Sequence, residues 1–277
     1  MRFFAYGSNL DDADLRAFAR ARGLERALPR ARGRAYLPDH ALRFHYHSPA
    51  RGGGALDVVP APGGLVPGAL FTGGPETAAL LDAKEGVAAG RYRRARVVVL
   101  TESGRAHEAT TYRVCAPRKA LMRPTADYAA LCRRGYGRFG LDPAPLRAAE
   151  AGEEAAATSS LFVYGTLREG SAQGPGVRGP RRPARARGQL RDLGDYPGLV
   201  PFPGWVAGES VFLGSREEAA RVFAELDEYE DFLGWDRLGA SLYHRGVARL
   251  ESGGIAWAYV LRQPAGRPLP SGDWRVR

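Results

Sequence analysis

Two glutamates and two glycine turns are the residues of this chain best suited to chemistry. Glu85 ends a helical stretch that opens with Pro75 at a plausible first position, and Gly86 follows it. Glu230 comes after a Ser215 to Glu218 capping box and after Val222, Phe223 and Leu226 at helical spacing. Each carboxylate is therefore predicted at or just past a helix C-terminus. That end of the dipole disfavours a negative charge, and with partial burial it raises the pKa towards neutrality, as a general base requires. Taken singly, either glutamate also fits an exposed, fraying helix end. The second feature is a short apolar strand that breaks at Tyr6-Gly7-Ser8-Asn9-Leu10 and again at Tyr164-Gly165-Thr166-Leu167. Glycine there permits φ > 0, letting successive N–H groups converge on an anion or oxyanion. Asp11 or Asp12 can then cap a helix running towards Arg22. One such turn reads as an ordinary strand-to-helix connection; two in the same company do not.

That company is an internal repeat. Leu81-Asp82-Ala83-Lys84-Glu85 recurs as Leu226-Asp227-Glu228-Tyr229-Glu230, and each copy precedes a Tyr-x-Arg, at Tyr92-Arg93-Arg94 and Tyr243-His244-Arg245. A strand, the turn Glu102-Ser103-Gly104 or Glu251-Ser252-Gly253, and a strand holding Tyr112 or Tyr259 complete each copy. Four features in one order argue for a duplicated domain. The expected organisation is a domain over 1–150, a join over 151–159 and a domain over 160–277. The stretch from Ala148 to Thr158 lacks an apolar face and reads as a linker or a solvated helix tail. Trp205, Trp235, Trp257 and Trp274 all lie beyond it.

The 277 residues are 44% hydrophobic and 25% charged, a globular composition with no apolar run long enough to span a membrane. The opening Met1-Arg2-Phe3-Phe4-Ala5-Tyr6-Gly7 turns too early for a signal peptide, and Cys115 and Cys132 are too few for a disulfide framework; a reducing cytoplasm is the expected location. Residues 1–150 hold 24 Lys and Arg against 14 Asp and Glu, so the whole net charge of +10 sits in the first half. The arginines are dispersed, without an aromatic stacking platform or a nucleic-acid-binding motif, and specific nucleic-acid binding is not expected. Nothing in the pattern assigns an oligomeric state.

Other motifs are weaker. His45 and His47 alternate on a probable strand and read as exposed residues; lacking a third ligand, they assign no metal. Gly52-Gly53-Gly54 and Gly73-Gly74 lack P-loop and dinucleotide companions and read as turns, as does Asp195-Tyr196-Pro197-Gly198. The basic run from Arg178 to Arg191, interrupted by Pro180 and Pro183, reads as a solvated loop.

On these residues the chain resembles the gamma-glutamylcyclotransferase superfamily in tandem. Residues 1–150 resemble the gamma-glutamylcyclotransferase branch through Phe4 to Leu10, Leu81-Asp82 with Glu85-Gly86, the Gly53-Gly54 turn and Pro124-Thr125-Ala126-Asp127-Tyr128. Residues 160–277 resemble the gamma-glutamylamine cyclotransferase branch through Tyr164 to Leu167, Asp195-Tyr196-Pro197, Glu230 and Tyr243-His244-Arg245. The resemblance implies an α+β fold of two such domains, each a small mixed β-barrel with flanking helices. It implies an enzyme that releases 5-oxoproline and an amine or amino acid from a γ-glutamyl compound, without metal or cofactor. Glu85 and Glu230 are the implied catalytic bases. Tyr6, Gly7, Ser8, Asn9, Leu10, Tyr92 and Tyr128 are the substrate-binding candidates of the first half; Tyr164, Gly165, Thr166, Leu167 and Tyr243 are those of the second. Asp231 replaces the glycine usual after the glutamate, Tyr128 has no counterpart in the second half, and the stretch before Tyr243 is longer; the first half is thus the stronger candidate for activity. The alternatives are a small-metabolite-binding module with one or both sites inactive, and a tailoring enzyme that removes a γ-glutamyl group from a biosynthetic intermediate.

Overall fold

A computed structural model of the chain describes residues 1–115, 121–171 and 176–276. It divides into two compact units, Met1–Val99 with His107–Ala157 and Leu100–Ala106 with Thr158–Arg277. In chain order the first half runs β1 (Arg2–Ala5), α1 (Asp12–Arg20), β2 (Arg30–Ser48), β3 (Gly53–Thr72), α2 (Pro75–Glu85), β4 (Tyr92–Thr101), β5 (Ala106–Val114), α3 (Ala126–Phe139) and α4 (Ala144–Ala151). The second runs β6 (Ser160–Val163), β7 (Arg181–Asp192), β8 (Pro197–Phe212), α5 (Arg216–Tyr229), β9 (Tyr243–Arg249), β10 (Ile255–Leu261) and β11 (Arg267–Pro268).

β1 to β5 form a closed barrel in the order β1-β3-β2-β4-β5, the ring completed by a parallel pairing of Phe3 with Thr110. The long β2/β3 hairpin bends at register shifts between Ala31 and Gly33, Pro38 and His40, and Phe44 and Tyr46. An extra residue on one strand increases local twist, which is what wraps so long a ribbon into a barrel. Asp39 sits at the middle shift with φ 55° and takes the Gly63 N–H on its carboxylate at 2.9 Å. Asp11 caps α1 by accepting the Asp14 N–H at 2.9 Å, and Pro75 opens α2. The interior is filled by Phe3, Phe4, Phe44, Val58 and Tyr136 among others.

The second unit repeats the plan: β6 pairs antiparallel with β8 and parallel with β10, as β1 does with β3 and β5. Its six strands lie in the order β11-β7-β8-β6-β10-β9. One bridge, Ala186 to Leu250, and the Glu251 N–H donated to Arg185 O at 2.9 Å bring the end of β9 back towards β7, so this sheet is a half-barrel. The capping box of Ser215 and Glu218 starts α5 as its sequence requires.

Three local expectations are corrected. Most of the basic run is strand β7, where Ala186, Gly188 and Leu190 face inward and Arg185 and Arg187 outward; the period of two was masked by the arginines. His45 is buried, not exposed, because Asp57 on the facing strand meets its Nε2 at 2.8 Å; His47 is exposed. Ala148 to Ala151 form the last turn of α4, with Ala149 buried. Among the described residues no helix is long and apolar enough to cross a membrane, and no group of three or more His, Cys, Asp or Glu could hold a metal ion.

Candidate active site

In each unit the sheet brings the first strand's glycine turn, the end of α2 or α5 and two strand tyrosines around one cavity. In the first, Tyr6, Gly7, Ser8, Asn9, Tyr92, Tyr128 and Glu85 all line it. Leu10 does not: it is fully buried, packed where a Cβ on Gly135 of α3 would approach its own Cβ to 2.6 Å. In the second, Tyr164, Gly165, Thr166, Leu167, Tyr243 and Glu230 line the cavity.

The turns work differently from expectation. Gly7 has φ −134°, so no left-handed conformation is needed there. Glycine is required in the second turn for room, since a Cβ on Gly165 would lie 2.4 Å from Pro197 Cγ. The first turn uses its hydrogen bonds at its far end, Leu10 N–H to Gly7 O and Asp11 N–H to Ser8 O; the second forms Arg168 N–H to Gly165 O. The leading N–H groups, of Ser8 and Asn9 and of Thr166 and Leu167, begin these turns and have no acceptor within them.

A set of tyrosines holds each turn against the barrel, and the two sets match bond for bond. Tyr6 donates to Tyr112 O at 2.6 Å, as Tyr164 does to Tyr259 O at 2.7 Å. Tyr92 donates to Leu56 O at 3.0 Å, as Tyr243 does to Pro197 O at 2.9 Å. Tyr112 donates to Asp82 at 2.8 Å, as Tyr259 does to Asp227 at 2.6 Å. Both aspartates also pair with the arginine of the Tyr-x-Arg repeat, Arg94 at 2.7 Å and Arg245 at 3.2 Å. Asp82, Asp227, Tyr112, Tyr259, Arg94 and Arg245 were visible only as repeat features; their positioning role emerges when α2 or α5 meets the sheet.

The two carboxylates sit in unlike surroundings. Glu85 accepts from Asn9 Nδ2 at 2.6 Å. Burial pushes its pKa up, while the Lys84 charge, the Asn9 bond and the Arg51 charge pull it back, leaving it raised. Lys84 and Arg51 are themselves held by Asp14, and the Arg51 guanidinium lies 5.3 Å from the centre of the Tyr128 ring. Glu230 caps α5, and burial alone pushes it up to about 7. The next residue, Asp231, keeps the left-handed backbone of Gly86, with φ 54° against 67°, a conformation that Asp tolerates better than most residues. The cavities differ most in size: about 30 Å³ in the first and about 390 Å³ in the second. The first has room for about two waters, whereas the second falls within the range of small-molecule sites.

The Glu230 environment makes a pH prediction. Its folded-state pKa stands above the ordinary 4.5, so the folded chain holds this proton longer than the unfolded chain does. Stability should fall as pH rises from about 4.5 to about 7 by about 1 to 3 kcal/mol, and Glu230→Gln should remove that slope. Urea unfolding across this pH range checks it; an unchanged slope in the variant contradicts it.

Comparison with known proteins gives the family. Residues 3–130 and 161–276 both match the family described as Gamma-glutamyl cyclotransferase, AIG2-like. The chain belongs to this family, as an enzyme of the gamma-glutamyl cyclotransferase type carrying two such domains. It is similar to the Gamma-L-glutamyl-butirosin B gamma-glutamyl cyclotransferase of Niallia circulans, 32% identical over 123 residues that make up 42% of this chain and 75% of that protein. Among solved structures it is similar to one named Gamma-glutamyl cyclotransferase, with 24% identity, TM-score 0.46 and coverage of 55% of this chain and 85% of that one. It is also similar to YkqA from Bacillus subtilis, with 27% identity, TM-score 0.46 and coverage of 55% and 53%.

Proposed function

We propose that this chain releases 5-oxoproline from a γ-glutamyl compound, with Glu85 and Glu230 as the general bases of its two sites and the domains bounded at 1–150 and 160–277. The observation that carries the reading is the recurrence, in each unit, of a raised-pKa carboxylate and an open-ended N–H turn around one cavity. The glutamate takes the proton of the substrate's α-ammonium. The freed amine attacks the γ-carbonyl carbon, closing the five-membered ring, and the turn N–H groups of Ser8 and Asn9 or Thr166 and Leu167 stabilise the oxygen that gains charge. The carbon–nitrogen bond to the leaving amine then breaks as the glutamic acid gives its proton to that nitrogen, and the ring nitrogen passes its second proton by way of the glutamate to the departing amine, which leaves as an ammonium beside the neutral lactam. Ring closure gains most from a cavity that holds the chain bent, since orienting two groups of one molecule contributes about 7 to 11 kcal/mol to lowering the barrier in favourable cases.

No step calls for a metal. The full chain should release 5-oxoproline from at least one γ-glutamyl amino acid or γ-glutamyl amine, at the same rate with and without EDTA. Absence of product from both classes with folded protein would overturn the reading. The butirosin-related name of the Niallia circulans relative favours, as a second reading of the substrate, a tailoring role on a biosynthetic intermediate. The same groups would perform it, and the two readings divide on whether the preferred leaving amine is an amino acid or a larger amine.

A further inference from the structure

β7 and β8 separate at one place. Their register passes from Arg187 opposite Trp205 to Gln189 opposite Val200, so β8 spends Pro201, Phe202, Pro203 and Gly204 on an excursion against the single Gly188 of β7. The first unit builds the same excursion between Pro38 opposite Leu65 and His40 opposite Pro60, using only Ala61, Pro62, Gly63 and Gly64 against Asp39. The two copies fill it differently. In the first, Pro38 and Leu65 are buried; in the second, Arg187 is exposed and Trp205 half-buried in their places, and Phe202 stands 52% exposed between its two prolines. The fold therefore does not itself require an exposed aromatic here. These side chains wall a cavity of about 720 Å³, lined wholly by residues of the second unit and sharing none with the cavity at Glu230. Its volume is that of a small-molecule site. Arg187 holds its guanidinium carbon 5.8 Å from the centre of the Trp205 ring. The two carboxylates of the wall, Glu102 and Glu251, meet Arg249 and Arg185 at 3.3 and 3.2 Å. Arg105 and Arg187 also line it, both exposed, and neither has a carboxylate partner among the described residues.

We propose that this cavity binds an anion that carries a flat aromatic ring, the chemistry of a nucleoside phosphate, with the ring against Trp205 and Phe202 and the phosphate on Arg105 and Arg187. The two parts of such a ligand answer the two features of the wall. Exposed aromatic side chains that converge on one cavity mark a surface that an occupant covers, and a base stacks on them whatever its hydrogen-bonding edge. A guanidinium without a carboxylate is free to take phosphate oxygens in a two-point bond, and one that already lies over a tryptophan also extends the stacking surface. Pro201 and Pro203 restrict the backbone on either side of Phe202, so little freedom is lost when a ligand covers it. The recognition is of a class and not of one base, since the cavity sets flat faces rather than a pattern of buried donors against the ring. It is independent of the reaction proposed above.

Calorimetric titration of the full chain with AMP, adenosine and ribose 5-phosphate tests it. AMP should bind about tenfold or more tighter than either of its parts, because the ring and the phosphate each find a partner. Arg105→Gln should weaken AMP about threefold or more and leave adenosine unchanged, whereas Phe202→Ser, at an exposed position, should weaken both. About 0.5 M salt should act as Arg105→Gln does, weakening AMP and sparing adenosine. Equal affinity for AMP and ribose 5-phosphate would make the cavity a general anion patch and overturn the proposal. So would AMP affinity unmoved in both variants, or no binding of AMP up to about 1 mM. A protein occupant would overturn it as well: a dimer that forms with rising concentration and that Phe202→Ser dissolves would assign the cavity to a second copy of the chain, and binding of a peptide of alternating Glu and Tyr without binding of AMP would assign it to an acidic segment of a partner.

Discussion

Glu230→Gln should lower kcat/KM for γ-glutamyl amines by about 10² to 10⁴, the range usual for loss of a general base. Glutamine keeps the volume of the side chain and its place at the cap of α5, so the cavity of about 390 Å³ persists while the proton acceptor is gone. The loss should fall on kcat more than on KM, because a group that moves protons in the transition state contributes little to holding the substrate. In the unsubstituted chain kcat/KM should rise through about pH 7 as this carboxylate ionises, since burial has pushed it to about 7, and the variant should lose that limb. Glu85→Gln should act on γ-glutamyl amino acids, the class that the resemblance of the first half implies. Each cavity is lined by residues of its own unit, so the effects should combine independently. Steady-state kinetics of the two single variants and the double variant checks this. If Glu85→Gln abolished all turnover and Glu230→Gln none, the roomy cavity would not be the working one; full activity in the double variant would remove both glutamates from the mechanism.

Asp227→Ala should destabilise the second unit by about 3 to 5 kcal/mol, whereas Asp82→Ala, its repeat counterpart, should cost the first unit about 1 kcal/mol from its ion pair. Arg245 is buried, with its guanidinium carbon 4.7 to 5.7 Å from the ring centres of Phe223, Phe232, Trp235 and Trp257. Removing Asp227 takes a carboxylate from that buried charge; Tyr259 and, for Asp82, Tyr112 lose an acceptor alike, so the contrast rests on the arginines. Arg94 has a side chain 40% exposed, so water replaces Asp82. All four tryptophans lie in the second unit, so their fluorescence during guanidinium unfolding reports that unit alone. Equal losses for the two substitutions, each followed by a probe of its own unit, would contradict the contrast.

How far the sequence reveals these features follows from how local they are. The capping box at Ser215, the Pro75 start of α2 and the Asp11 cap are written in a few adjacent residues, and the structure has all three. The duplication was legible because both copies keep the same residue types in order. Partnerships across the barrel were not: Asp57 lies on the strand facing His45, and only the β2/β3 register brings them together. Glycine in the Tyr-Gly turns was legible as a requirement but not for its reason, because the obstacle at Gly165 is Pro197, a residue distant in sequence. The unequal cavities escaped the sequence altogether. In the first, α3 brings Tyr128 to the cavity and Asn9 reaches Glu85; the second has neither contact, and an order of magnitude more volume follows.

The central claim is that the substrate's own amine, and not water, attacks the γ-carbonyl, and turnover of a γ-glutamyl amine in water enriched in oxygen-18 tests it most directly. The account predicts 5-oxoproline and free amine in equal amounts, with no heavy oxygen in the ring product. Glutamate carrying one oxygen-18 atom in its γ-carboxylate would contradict it.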